Sequence, residues 1–254
     1  EEELNTAQDW SSAYSSKHVM PRYIKLFMDG TVETATGFIN GEYGAPFSGS
    51  GIANWTEEQV AAITARANQK GLSMHIHAMG DAATHRVVSA YASSGNKNMR
   101  NSMVHVRNIS AQDIQQVADH NIVIDMGGIW HAVPDRARPL MDEVLPAAIA
   151  KQAYPMRSFF DKGAIGVSHT DFPATSGSQP EPFGVMEIMV TGMKPDHSQF
   201  ITPWEPSELL TREQALTALT IHGAYQLFME SSRGSIKEGK YADAYSSNTI
   251  KFKL

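Results

Sequence analysis

Residues 72–81, LSMHIHAMGD, constrain this chain more than any other stretch. They begin as a strand-like run with imidazoles at alternating positions, His75 and His77, and end in Gly80-Asp81 ahead of a helical run, AATHRVVSAYAS. A strand that delivers an imidazole at its carboxyl end and passes directly into a helix is how a parallel α/β sheet places a reactive or ligating group. Alternation puts His75 and His77 on one face, His75 one step deeper.

The neighbouring segments repeat the pattern. RYIKLFMDGT (22–31) reads as a buried strand interrupted by Lys25 and closed by the turn signal Asp29-Gly30. Charged lysine is costly to bury, so the plain reading of Lys25 is an edge strand or an ammonium that reaches solvent. MRNSMVHVRN carries His105 near a strand end, NIVIDMGG is a further strand, and AIGVSHTDFP is one more, with Asp171 at its end. Between them lie helices with visible starts: Thr56 with Gln59 forms a capping-box pattern, Ser110 caps AQDIQQVADH, and Thr211 caps a single long helix through LTREQALTALTIHGAYQLF. Strand and helix alternate with short connections, which argues for βαβ units and a parallel sheet. The long Gly/Ser/Thr-rich loop 31–55 falls on the carboxyl side of that sheet, where long loops are functional or mobile. The tail SRGSIKEGKYADAYSSN turns like short antiparallel strands, giving a barrel-type unit at 1–230 and a β tail at 231–254.

With 254 residues the chain suffices for one sizeable domain. A net charge of −6 offers no basic face for nucleic acid, and no apolar run reaches membrane-spanning length. Cysteine is absent, so thiolate metal sites and disulfides are excluded. The compartment is left open, a cytoplasmic one favoured; the expected partner is a small-molecule substrate.

Lys25, His77, His105 and Asp171 thus sit at strand ends, where active sites of parallel β/α folds lie. Two imidazoles and a carboxylate suit zinc, iron or nickel with an open position for water. Lysine joins such a set only as a carbamate. The competing reading makes each histidine a hydrogen-bonded core or rim residue, His169 a strand-end polar group and Asp171 a turn former.

KLFMDGTVETATG, HIHAMGDAATHRVV, MVHVRNIS, VSHTDFP and LTREQALTALTIHGAYQLFMESSRGSIKEGKYADA occur in the order found in the metal-dependent amidohydrolase superfamily, and nearly the whole chain resembles its N-substituted formamide deformylase-like branch. That resemblance implies a (β/α)8 barrel with one or two divalent ions, zinc foremost. It makes Lys25 the fourth-strand lysine, open to carboxylation, His77 the fifth-strand and His105 the sixth-strand ligand, and Asp171 the eighth-strand ligand and proton shuttle. The family's first-strand His-x-His has no counterpart upstream of Lys25, so the chain is expected to be N-terminally truncated and to hold only the fourth to eighth strands. Such a half-barrel calls for a second copy or a complementing fragment. The implied activity is hydrolysis of an amide or other C–N bond by metal-activated water, with Trp130, His131, Arg136 and Arg107 as candidate substrate contacts in loops 31–55, 127–146 and 174–206. Two rivals stay open: a catalytically incomplete binding or regulatory module, and a metal-free sugar- or phosphate-binding barrel.

Overall fold

The computed structural model describes residues 1–131, 142–171, 182–193 and 205–243. Five strands form one parallel sheet whose spatial order is the chain order. They are β1 (Tyr23–Phe27), β2 (Ser73–Ala78), β3 (Ser102–His105), β4 (Val123–Met126) and β5 (Ile165–Ser168). The helices are α1 (Glu2–Tyr14), α2 (Glu57–Gln69), α3 (Asp81–Ser94), α4 (Ala111–Asp119), α5 (Ala147–Ala150), α6 (Met156–Asp161), α7 (Pro182–Thr191), α8 (Arg212–Leu219) and α9 (Ile221–Gln226). The expected α/β class and parallel sheet are found. Among the described residues no helix is long and apolar enough to cross a membrane.

Register and alternation divide the sheet into two chemically different faces. Ile24, Leu26, Met74, Ile76, Met103 and Ile124 point one way and join Val60, Val87, Val88, Ile114, Val117, Met156 and Phe159 of the helices in one apolar core. Lys25 pairs with His75, Phe27 with His77, His75 with Ser102, and Asp125 with Val167, so these side chains share the other face. That face is polar and titratable.

Helix starts follow the sequence. Thr56 and Thr211 close reciprocal capping boxes with Gln59 and Gln214, and Ser110 accepts from the Asp113 N–H. Each satisfies an N–H that the first helical turn cannot bond internally.

Three expectations are corrected. First, β1 is not buried throughout: it is a sheet edge, in line with the plain reading of Lys25, and Phe27 is 54% exposed. Second, the single helix expected after Thr211 is two, α8 and α9, broken at Thr220 (φ −121°, ψ −91°). The Thr220 hydroxyl donates to the Leu216 carbonyl at 2.6 Å, a local bond that competes with the helical ladder. Third, the tail expected as β carries no strand over residues 231–243. Gly234 and Gly239 turn it at positive φ, and Ile236 is fully exposed without an apolar face to dock on. Residues 244–254 lie outside the described ones. What holds the tail is polar: Arg233 bonds Asp243 at 2.8 Å and the Lys17 carbonyl at 3.2 Å, and the Lys240 ammonium donates to Ser235 at 2.7 Å.

Loop 31–55 is built into the fold. Val32, Ile39 and Tyr43 are buried with Met79, Val144, Leu145 and Ile149 in a second apolar cluster. The loop closes on itself through Ile39 N–H to the Ser50 carbonyl (2.9 Å) and Tyr43 N–H to the Gly49 carbonyl (2.8 Å). Gly80 permits its close approach, since a Cβ there would stand 2.0 Å from the Phe38 carbonyl oxygen. Gly80→Ala is therefore expected to cost about 1–3 kcal/mol by overpacking. Thr56→Ala, which removes the cap on α2, should cost about 1 kcal/mol. Urea denaturation midpoints of the two variants against wild type check both.

Candidate active site

The site is built at the carboxyl ends of the strands. His77 stands next to last on β2, and its Nε2 is 2.8 Å from the Gly30 carbonyl oxygen, just past β1. A carbonyl can only accept, so Nε2 carries the proton and Nδ1 holds the lone pair. Nδ1 is buried and has no hydrogen-bond partner.

His105 reaches the same place by a backbone irregularity. Its register partner is Ala78, so strict alternation would aim it toward the helices. Positive φ at His105 (75°) and Val106 (35°) breaks the alternation. The His105 ring lies 4.9 Å from that of His77 and 5.4 Å from that of His169, both near T-shaped, giving a row of three imidazoles. Beyond His169 comes Asp125, its Oδ1 3.8 Å from His169 Nε2, with neither atom hydrogen-bonded. The Asp171 N–H donates to His169 Nδ1 at 3.0 Å, so Asp171 turns back (φ 54°) toward His169. Lys25 sits on β1 with its ammonium 5.1 Å from the Phe27 ring centre.

Burial governs the electrostatics. It pulls the Lys25 ammonium below its ordinary range, against the opposing pull of Asp125 and Asp171. Burial first, then the neighbouring imidazoles and Lys25, pushes His105 down to about 2, and His75 falls to about 3 for the same kinds of reason. His77 is lowered by burial, which the Gly30 contact partly offsets. Asp125 is raised by burial, with His169 and Lys25 opposing. At neutral pH the imidazoles of His75, His77 and His105 are uncharged and able to donate lone pairs.

Of the sequence candidates, the structure brings Lys25, His77, His105 and Asp171 to one end of the sheet: Asp171 acts electrostatically on both Lys25 and His77. Trp130 stands beside this group, since a Cβ at Gly127 would meet both the Trp130 ring (2.4 Å) and His169 Nε2 (3.3 Å). His131 is instead buried against Tyr154, ring centres 4.4 Å apart. Arg107 is 0% exposed; its guanidinium donates to Asn108 at 2.8 Å and lies 3.6 Å from both Glu33 and Asp142. It therefore ties loop 31–55 to the segment around Asp142. Arg136 lies outside the described residues.

Sequence reasoning passed over two groups. Asp125 lies in an apolar-looking strand, and its signal is register: through Val104 it stands level with His77, two strands away on the same face. In the sequence Asp29 is only half of a turn signal, Asp29-Gly30. It is 2% exposed and accepts three backbone N–H groups: Met79 at 3.0 Å, Phe38 at 2.9 Å and Gly80 at 2.9 Å. Burial raises its carboxyl, and the three N–H donors pull it back toward the ionised, acceptor-only form.

The donor chemistry fits a divalent cation at His77 and His105: a buried unpartnered Nδ1, its ring fixed by a carbonyl, beside a second neutral imidazole. Among the described residues, however, no three His, Asp or Glu side chains converge to hold one.

Two predictions follow from burial alone. His75, His105 and His131, the last pushed to about 3, bind fewer protons folded than unfolded between their folded values and about 6.5. Their contribution to stability is complete above about pH 6.5 and is lost as pH falls, by up to about 1.4 kcal/mol per pH unit for each. Urea midpoints of cation-free protein should drop steadily from pH 7 to pH 4, and His131→Gln should flatten that slope by up to one proton. Arg107→Met removes a fully buried cation that joins Glu33 and Asp142 and should cost about 1–3 kcal/mol, measured the same way.

Comparison with known proteins agrees with this architecture. Protein LONG AFTER FAR-RED 3 of Arabidopsis thaliana is 25% identical over 226 residues, covering 87% of this chain and 37% of that protein. N-substituted formamide deformylase of Arthrobacter pascens is 26% identical over 196 residues, covering 74% of this chain and 34% of that enzyme. The chain thus spans less than half the length of these relatives. The crystal structure of an uncharacterized metal-dependent hydrolase from Pyrococcus horikoshii OT3 superposes with a TM-score of 0.76 at 18% identity, over 94% of this chain and 47% of that one. It shows the fold. The model of the amidohydrolase family matches residues 1–245, and the chain belongs to that family.

Proposed function

We propose that this chain is the metal-binding part of a hydrolase that cleaves an amide or other C–N bond with activated water. The observation that carries the reading is the buried, unpartnered Nδ1 of His77, its ring fixed by the Gly30 carbonyl and its neighbour the neutral His105. Family membership supports it. Lys25, His77, His105 and Asp171 would hold the cation, zinc foremost, Lys25 as its carbamate. When bound, the cation supplies Lewis acidity, lowering the pKa of water and polarising the scissile carbonyl.

The chain's own residues do the rest. Asp171, turned back toward His169, accepts a proton from the attacking water and returns it to the departing nitrogen. Burial favours the neutral amine of Lys25, the form that takes up carbon dioxide. Trp130 offers an apolar wall beside His169, while Arg107 and His131 act from behind it, fixing the loops that shape the substrate cleft. We assign the strands the fourth to eighth positions of a (β/α)8 barrel, completed by a second copy or a complementing fragment; β1 and β5 are the edges available for it.

One observation favours a second reading, a catalytically incomplete binding module: no three donor side chains converge among the described residues. Metal analysis separates the two. Protein purified from zinc-supplemented medium should retain at least one ion per chain. His77→Asn and His105→Asn should each weaken retention about 100-fold or more, and Asp171→Asn should abolish turnover of an N-formyl amide panel. A folded wild-type chain without stoichiometric zinc, iron or nickel would rule out the hydrolase reading for this polypeptide.

A further inference from the structure

His77 is useful as a donor only while its proton stays on Nε2 and its lone pair on Nδ1. A free imidazole exchanges the two arrangements, so something must select one. The Gly30 carbonyl, 2.8 Å from Nε2, is the direct partner, but Gly30 lies on a chain segment that could turn away. What prevents this is the residue before it. Asp29 Oδ1 accepts the Met79 N–H at 3.0 Å and stands 3.5 Å from His77 Nε2. Asp29 Oδ2 accepts the N–H groups of Phe38 and Gly80, each at 2.9 Å. One carboxylate at the exit of β1 therefore binds both the loop 31–55 and the turn between β2 and α3, directly beside the His77 ring. The Met28 N–H to His77 carbonyl bond, 2.8 Å, completes the frame.

We propose that Asp29 is the positioning residue for His77: it holds the Gly30 carbonyl and the residue 79–80 turn about the ring, and by facing Nε2 with an acceptor-only group it keeps the proton there and the lone pair on Nδ1. Both neighbours of Nε2 are oxygens that can only accept, so the Nε2-protonated form gains a donor–acceptor contact that the alternative form turns into lone-pair repulsion. The role of Nδ1 as a cation ligand rests on the function proposed above; the selection of the tautomer does not.

A contact that merely stabilised the loop would look different. Asp81 makes such a contact: its Oδ1 accepts the Asn40 N–H and its Oδ2 the Asn40 side-chain amide, both at 3.0 Å. Asp81 serves as the matched control, since it clamps the same loop without an ion-pair or hydrogen-bond contact to His77.

The test is made on cation-free, 15N-histidine-labelled full chain by long-range proton–nitrogen correlation, with His77 identified from the signals missing in His77→Asn. In wild type His77 should be the Nε2-protonated tautomer. Asp29→Asn can place its amide donor against Nε2, and Asp29→Ser removes the acceptor; both should shift His77 toward the Nδ1-protonated form, whereas Asp81→Asn should not. Cobalt titration should show affinity lowered about 10–100-fold in the Asp29 variants and unchanged in Asp81→Asn. Wild-type His77 protonated on Nδ1 would overturn the proposal, and this arm needs no variant to fold. So would a folded Asp29→Asn or Asp29→Ser chain with the wild-type tautomer. If the tautomer behaves as expected but wild type binds no cobalt, the positioning role stands and the metal-dependent reading falls.

Discussion

A single buried carboxylate, Asp29, is the interaction on which the geometry of this chain's site depends. An anion enclosed by protein is tolerable only when its lone pairs are met by donors, and here three backbone N–H groups from two distant segments meet them. The arrangement constrains both sides. The carboxylate needs those amides, and the amides, which belong to no helix or strand ladder, need the carboxylate. Because Met79 and Gly80 directly follow β2, and Gly30 directly follows Asp29, any shift of the clamp is transmitted to the imidazole between them.

The rest of the site is layered on this frame. One sheet face is apolar and locked to helices, which leaves the other free to carry Lys25, His75, His77 and Asp125 in register. Burial then drives the charges: His77 and His105 are favoured neutral, and the carboxylates and lysine must compensate one another. Arg107 plays the complementary part on the outer side, a buried cation that joins loop 31–55 to the segment around Asp142.

What was legible in the sequence was whatever obeys periodicity and local chemistry. The parallel α/β class, the caps at Thr56, Ser110 and Thr211, and the placement of His77 at a strand end all rest on alternation, spacing and turn residues within a few positions of each other. The orientation of His105 was legible only through family resemblance, because its ring reaches the row by a left-handed backbone that no pattern of side chains announces. Asp29 and Asp125 were missed since their importance comes from partners tens of residues away. The break at Thr220 and the strandless tail share a cause of the opposite kind: local hydrogen bonds and turns overrode a plausible periodicity.

The coincidence of spatial and chain order in the sheet has a consequence for biosynthesis. Each strand finds its partner in the one made just before it, with a helix between, so no strand has to be inserted between two others after the fact. A chain of this kind can grow from one end, each new βα unit docking on the edge left by the last as it leaves the ribosome. The same order means that the imidazole row is laid down in sequence, His77, then His105, then His169, and is complete only when the last strand arrives.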